Sequence, residues 1–389
     1  MLLIKNAEIH PMTDEAPFTG DILIEEGRIS RIEPKISLDE RKLKVIDATG
    51  LIALPGLVDA HSHIGGMNFA NPDSVDDYNE MTGPIMADVQ ALYGTDVTSP
   101  DFEYARKSGI TTVGLTPGSG NVVNGWVFAA KTTGTNVFDM VIKNPVALKI
   151  ALGGNPKSTY GNRDQTPSTR MAIPQMIREL FDRTLEYMEK KDQAEKDSTE
   201  GPTLDAELEA IIPALRKEIP LKIHCTQFDM VTAIELANEY GLDFSIEHAW
   251  GASNYLDEIQ EGGGSICFGP LGSMKGPGEC SLIDIESVVE LDKRGVVTSI
   301  VTDSPILSID SLIQHAGEAV RSGLPLERAM RMITINPARI LKIDDRVGSL
   351  EPGKDGDVVI FRGRPLYETN ARVEYTIQDG EIVYDSALS

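Results

Sequence analysis

Hydrophobic residues recur along this chain in two rhythms. Near both ends they alternate with polar residues, over Leu2–Ile9, Asp21–Ile29, Gly356–Phe361 and Tyr375–Tyr384. Alternation at period two is the mark of a half-buried strand. Glu26-Gly27 and Asp379-Gly380 are turn pairs of the kind that join hairpins. The middle reads differently. Short apolar runs at Leu51–Ala60, Gly109–Leu115, Val146–Leu152, Pro220–Cys225, Asp243–His248, Ser265–Phe268 and Gly295–Asp303 are strand candidates. Helical patterns lie among them at Thr169–Lys191, Leu204–Glu218, Met230–Tyr240, Ile283–Lys293 and Ser311–Ser322. Strands alternating with helices predict an α/β domain with a parallel sheet or barrel over residues 55–349. The β-rich ends, 1–54 and 350–389, predict one small domain built from both termini. The third strand of the middle region is the hardest to place, with Gly125–Lys131 and Asp139–Ile142 as candidates. The charged stretch Glu186–Glu200 reads as a solvated helix end and loop.

The length of 389 residues suits one large domain plus a smaller one, and 41% hydrophobic residues suffice for a sizeable core. No uninterrupted apolar run reaches the roughly 18 residues of a membrane helix, and the first ten residues break too early for a signal peptide. These features predict a soluble, cytoplasmic protein with no membrane partner. The net charge of −24 comes without a Lys/Arg cluster, which argues against nucleic acid as a partner. Cys225, Cys267 and Cys280 are odd in number and lack a CxxC spacing, so a reducing compartment without a disulfide framework is expected.

The chemistry concentrates at strand ends. His61 and His63 close the run Leu51–Ala60, and side chains at i and i+2 share one face of a strand. Two adjacent imidazoles suit a first-row transition metal or zinc. Lys149 lies in the next-placed strand but one, His224 near the end of Pro220–Cys225, His248 at the end of Asp243–His248, and Asp303 at the end of Gly295–Asp303. Four of the chain's six histidines thus fall at strand ends, where a barrel carries its chemistry. His10, in the small domain, and His315, in a helical pattern, read as ordinary structural or exposed residues.

These residues resemble the amidohydrolase superfamily, and within it the imidazolonepropionase-like group that includes metal-dependent dipeptidases. The resemblance rests on Gly56-Leu-Val-Asp-Ala-His-Ser-His63, Ile223-His224, Glu247-His248 and Val301-Thr-Asp303, together with Thr334–Leu341 and Gly348–Phe361, and it spans nearly the whole chain. It implies a (β/α)8 TIM-type barrel with a small β-sandwich domain from both termini. It implies that His61, His63 and Asp303 hold one divalent ion and His224 and His248 a second. Zinc is the first candidate for both, and manganese, iron or nickel would suit the same donors. Lys149, carboxylated by carbon dioxide, would bridge the two ions, because only a neutral amine forms a carbamate and burial near cations favours that form. Relatives with Glu at the position of Gly154 have another bridge available; this chain does not.

The implied activity is hydrolysis of a C–N bond in a dipeptide-like or cyclic amide. A hydroxide on the metal would attack the carbonyl carbon, with Asp303 as general base and then acid. Tyr160 and Arg163 follow the fourth strand and are candidates for binding the substrate, Arg163 through a carboxylate. The glycine-rich loop Gly118–Gly125 could present backbone N–H groups, and Trp250 could wall the pocket. A mononuclear deaminase or an imidazolonepropionase-type ring-opening enzyme is the alternative. Related deaminases carry a Glu proton shuttle where this chain has Gln227, and an amide cannot shuttle a proton as a carboxylate does. Thr226 and Ser304 also replace residues found in similar sequences. A scaffold protein that keeps only the fold would be expected to lose ligands, and this chain retains them. The expected partners are a small-molecule substrate and, from the resemblance, further copies of the same chain in a homo-oligomer.

Overall fold

The computed structural model of the chain describes residues 1–67, 77–271 and 279–388, without the side chains of Lys42, Glu279 and Cys280. Its centre is an eight-stranded sheet whose members follow one another in chain order: Leu57–Ser62, Ile110–Leu115, Val123–Lys131, Val141–Ala151, Leu221–Cys225, Phe244–His248, Ser265–Phe268 and Thr298–Ile300. Helices cover the outside, among them Ala172–Asp197, Ala206–Leu215, Asp229–Glu239, Glu286–Lys293 and Leu312–Arg321. Their buried stripes, such as Ile173, Ile177, Leu180 and Phe181 on the longest, pack into the main core. This is the α/β TIM-type architecture the sequence suggested.

The third strand departs from it. Val123–Lys131 runs antiparallel to both Ile110–Leu115 and Val141–Ala151, while the other neighbouring pairs are parallel. Chain length explains the reversal. Seven residues separate Leu115 from Val123, and a parallel crossover needs a dozen or more. The strand was hard to place in the sequence because no helix precedes it. Of the two candidates, Gly125–Lys131 lies in this strand and Asp139–Ile142 straddles a short helix and the start of the next. The stretch Glu186–Glu200, read as a helix end and loop, continues as helix to Asp197.

Both termini meet in a second eight-stranded sheet. Its order runs Glu381–Asp385, Arg372–Gln378, Val358–Arg362, Ile52–Pro55, Leu2–Ile9, Phe18–Glu25, Arg28–Glu33, with Lys44–Asp47 also paired to Leu2–Ile9. The pairing gives one continuous sheet around its own core of Leu2, Ile4, Ile22, Ile24, Val358, Ile360 and Ile377. Ile52–Pro55 belongs to this sheet and Leu57 opens the barrel, so a single glycine, Gly56, separates the two.

A buried cation joins sheet to barrel. Lys131, at the end of the reversed strand, meets Asp355 at 2.9 Å, Asp357 at 2.7 Å and Asp379 at 3.1 Å. Burial opposes its charge, but the three carboxylates outweigh burial and hold the ammonium at about 12. His10 pairs with Glu8 at 3.1 Å and with Glu327 at 3.5 Å. His315 is buried in the helix Leu312–Arg321, and desolvation lowers its pKa to about 4.

Two outcomes follow. Lys131→Met leaves the aspartates without their shared cation and should cost about 3–5 kcal/mol in denaturant unfolding, nearer the lower figure because Arg346 also pairs with Asp355. His315 stays neutral in the fold until about pH 4, whereas the unfolded chain takes up the proton near pH 6.5. Stability should therefore be lost as pH falls from 6.5 towards 4, by about 3 kcal/mol from this group. Comparison of His315→Leu with the parent over that range checks it.

Candidate active site

Five of the predicted residues converge at the end of the barrel where the parallel strands finish. His61 and His63 stand two apart at the end of the first strand, with ring centroids 5.2 Å apart. The Asp303 carboxylate reaches both: Oδ1 lies 3.3 Å from His61 Nε2 and 3.1 Å from His63 Nε2. Ligand atoms of these three residues all lie within 4.8 Å of one another. His224 and His248, from adjacent strands, have ring centroids 4.6 Å apart, and His248 lies 4.9 Å from His61. Lys149 is fully buried beneath them, with Nζ 3.5 Å from His61 Nε2.

The position of His248 needs a local explanation. In the register of the sheet His224 lies opposite Glu247, and Cys225 opposite His248. Simple alternation would therefore send His248 away from the site. The backbone turns left-handed at His248, φ 74°, and at Ala249, φ 51°, which re-aims the imidazole. Asp303, three residues past the strand Thr298–Ile300, has φ 57°. Asp and His are among the side chains that tolerate this region best.

The rings of His61, His63 and His248 are tethered through Nδ1: His61 to Glu247 Oε2 at 2.5 Å, His63 to the Thr116 carbonyl at 2.7 Å, and His248 to the Gly269 carbonyl at 2.8 Å. An acceptor at Nδ1 calls for the proton there and leaves the Nε2 lone pair directed at the centre, as a metal ligand requires. The donor set therefore fits a divalent cation. Desolvation first, then the Lys149 charge, lowers the pKa of His61. Desolvation also holds His248 well below its ordinary value. Burial pushes Lys149 down to about 8, with Lys222 adding to the effect. Burial works against the Asp303 anion, but His248, His61 and His63 outweigh it and keep the group well below the usual range.

The cavity above these groups is about 620 Å³. Tyr78, Met81, Ser119, Asn155, Trp250 and Ile306 contribute to its wall. The Trp250 ring lies 5.3 Å from His248. Asn155 Nδ2 donates to Ser119 Oγ at 2.8 Å and lies 3.4 Å from His224 Nε2. Asn155 is the second residue of the helix Gly154–Gly161, which starts after Gly153 at φ 88°. Of the glycine-rich loop, Gly118–Gly120 lines the cavity.

Tyr160 and Arg163 were expected at the substrate and are corrected here. Both lie at or just past the end of the Gly154–Gly161 helix, and neither lines the cavity. Tyr160 Oη, fully buried, donates to the Gly83 carbonyl at 2.5 Å and lies 2.7 Å from Asn121 Oδ1; Arg163 Nη1 donates to the Met81 carbonyl at 2.6 Å. They anchor the segment that carries Met81 to the cavity wall. Gln227 donates to Ser281 Oγ at 3.2 Å and does not line the cavity.

Lys222 and Thr116 had no role assigned from the sequence, and Asp59 and Glu247 had none beyond their places in motifs. Period two places Lys222 on the face of His224, and Asp59 on that of His61, so spacing alone could have flagged them. The carbonyl of Thr116 leaves no signal in residue identity.

A barrel with imidazole and carboxylate ligands gathered at its strand ends defines a metal-dependent hydrolase architecture. Residues 52–384 match the amidohydrolase family, and the chain belongs to it. It is an enzyme of the class that acts on C–N bonds. The solved structure of an amidohydrolase from Thermotoga maritima superposes with a TM-score of 0.94 at 35% identity, covering 99% of this chain and 100% of that one. An imidazolonepropionase of Picrophilus torridus is 25% identical over 99% of both chains. An amidohydrolase of Hapsidospora irregularis is 25% identical over 95% of this chain, which spans only 40% of that protein's length.

Tyr160→Phe should lower stability by about 1–3 kcal/mol through the unpaired Gly83 carbonyl, with KM unchanged at the temperature where both proteins are folded. A direct substrate contact would instead raise KM without that loss in thermal unfolding.

Proposed function

We propose that this protein hydrolyses the C–N bond of a small dipeptide-like or cyclic amide with two divalent ions, zinc first among the candidates. The observation that carries the reading is the convergence of His61, His63 and Asp303, with the His61 and His63 rings tied back through Nδ1. These three would hold one ion, and His224 and His248 a second. Lys149, as its carbamate, would bridge them. Burial favours the neutral amine from which a carbamate forms. Gly153-Gly154 offers no carboxylate for that place.

Bound there, a divalent ion supplies Lewis acidity and lowers the pKa of a water molecule. The rest falls to the chain. Asp303, at the floor of the cavity and against both imidazoles, takes the proton of the attacking water. As the C–N bond breaks, Asp303 returns that proton to the departing nitrogen. Trp250 covers His248 and shields the reacting carbonyl from bulk water. Asn155 and Ser119 offer an amide and a hydroxyl to the polar groups of the substrate.

The full-length similarity to an imidazolonepropionase supports the alternative, an imidazolonepropionase-type ring opening of a cyclic amide. Ring deamination has less support, because Gln227 stands where a carboxylate shuttle is needed and turns to Ser281. The retained ligands argue against a non-catalytic scaffold.

Elemental mass spectrometry of protein grown with zinc should find about two ions per chain, falling to about one in Lys149→Met. One ion in the parent would overturn the binuclear site. In a panel of dipeptides and cyclic amides, Asp303→Asn should lower kcat by about 10²–10⁴ on whichever substrate is cleaved.

A further inference from the structure

The three tethered imidazoles are not held alike. His63 and His248 donate to main-chain carbonyls, which are fixed by the fold and accept only. His61 donates to a side chain, the Glu247 carboxylate. A carboxylate in that place has other ways to turn, so something must hold it.

Two groups do. Lys222 Nζ lies 2.9 Å from Glu247 Oε2, the same oxygen that meets His61. Ser245 Oγ donates to the other oxygen, Oε1, at 2.5 Å. Lys222, Glu247 and His61 have no more than 1% of their surface exposed. Lys222 also donates to Cys267 Sγ at 3.6 Å, which fixes its own direction. Ser245 and Glu247 are two apart on one strand, and Lys222 is paired in register with Ser245 on the neighbouring strand. The whole chain of contacts is therefore set by backbone register.

We propose that Glu247, clamped by Lys222 and Ser245, is a positioning residue that fixes His61 with its proton on Nδ1 and its Nε2 aimed at the metal. This rests on the metal-dependent reading above. Glu247 touches neither ion nor substrate; it acts through His61. Lys222 is what lets a carboxylate be used at full burial, since an unpaired anion there would be strongly disfavoured.

The test uses the full-length protein with ¹⁵N-labelled histidine, first without metal. The His61 signal is the one lost in His61→Asn. We expect the Nδ1–H tautomer in the parent and its partial or complete loss in Glu247→Ala. Zinc affinity, read by competition with a chromogenic chelator, should fall by about 10–100-fold in Glu247→Ala. The double variant Glu247→Gln/Lys222→Met keeps an acceptor oxygen at Nδ1 and removes the unpaired ammonium. It should keep the parent's tautomer and nearly its affinity. An Nε2–H tautomer in the parent overturns the proposal whatever the variants do. So does a folded Glu247→Ala with the parent's zinc affinity, and so does a folded double variant that has lost the tautomer. If Glu247→Ala does not fold, the parent and the double variant decide. A parent that binds no zinc, cobalt or manganese would sink the metal-dependent reading, while the tautomer would still be measured separately.

Discussion

The site depends on how the barrel closes. The first and last strands, Leu57–Ser62 and Thr298–Ile300, sit at opposite ends of the sheet's pairing order. The Asp59 carboxylate bridges the seam between them. Oδ2 accepts from Thr302 Oγ1 at 2.6 Å and Thr302 N at 3.2 Å, and Oδ1 accepts from His61 N at 3.1 Å. Main-chain bonds extend the junction, from Asp303 N to the His61 carbonyl and from His63 N to the Ser304 carbonyl. The bonds that close the cylinder are thus the bonds that bring two histidines to an aspartate. Burial raises the pKa of Asp59 to about 7 even though its three donors favour the anion. A barrel joined there by apolar contact alone would leave the relative height of the two strands free.

A second constraint is the limited reach of strand geometry. Alternation can place every second residue in the barrel, which serves His61 with His63 and Lys222 with His224. It cannot place Glu247 and His248 on one side. Left-handed backbone at the strand end does so, and the two adjacent residues then face the centre in different roles. The same device at Asp303 turns its carboxylate back across the seam. Left-handed backbone also occurs in turns elsewhere in the chain, but at His248 and Asp303 it serves to re-aim a side chain.

This explains which features were legible in the sequence. His61, His63, His224 and Asp303 were readable because each marks the end of an apolar run, and the barrel was readable because most strands are separated by helical patterns. The third strand was obscure because it pairs locally and has no helix before it. Tyr160 and Arg163 were misread because the segment after the fourth strand is a helix and not a loop. A helix gives each residue a direction, and the direction of these two is towards the Met81 and Gly83 carbonyls. Glu247, Lys222 and Asp59 carry charge inside apolar runs, and their partners lie on strands far away in sequence. Spacing can flag Lys222 and Asp59, but only register reveals their partners.

The reversed strand has its own consequence for the site. In a regular unit the chain would leave the second strand through a loop and helix and return at the far end. Here it turns back at once, so the short link after Leu115 stays beside the cluster of histidines and Asp303. That link supplies the Thr116 carbonyl that orients His63, the Ser119 hydroxyl that receives Asn155, and the Asn121 amide beside Tyr160. Three neighbouring features of the site are thereby fixed by one tight connection. A Cβ at Gly118 would come within 2.3–2.6 Å of the Asn79 side chain, which would have to shift to admit it.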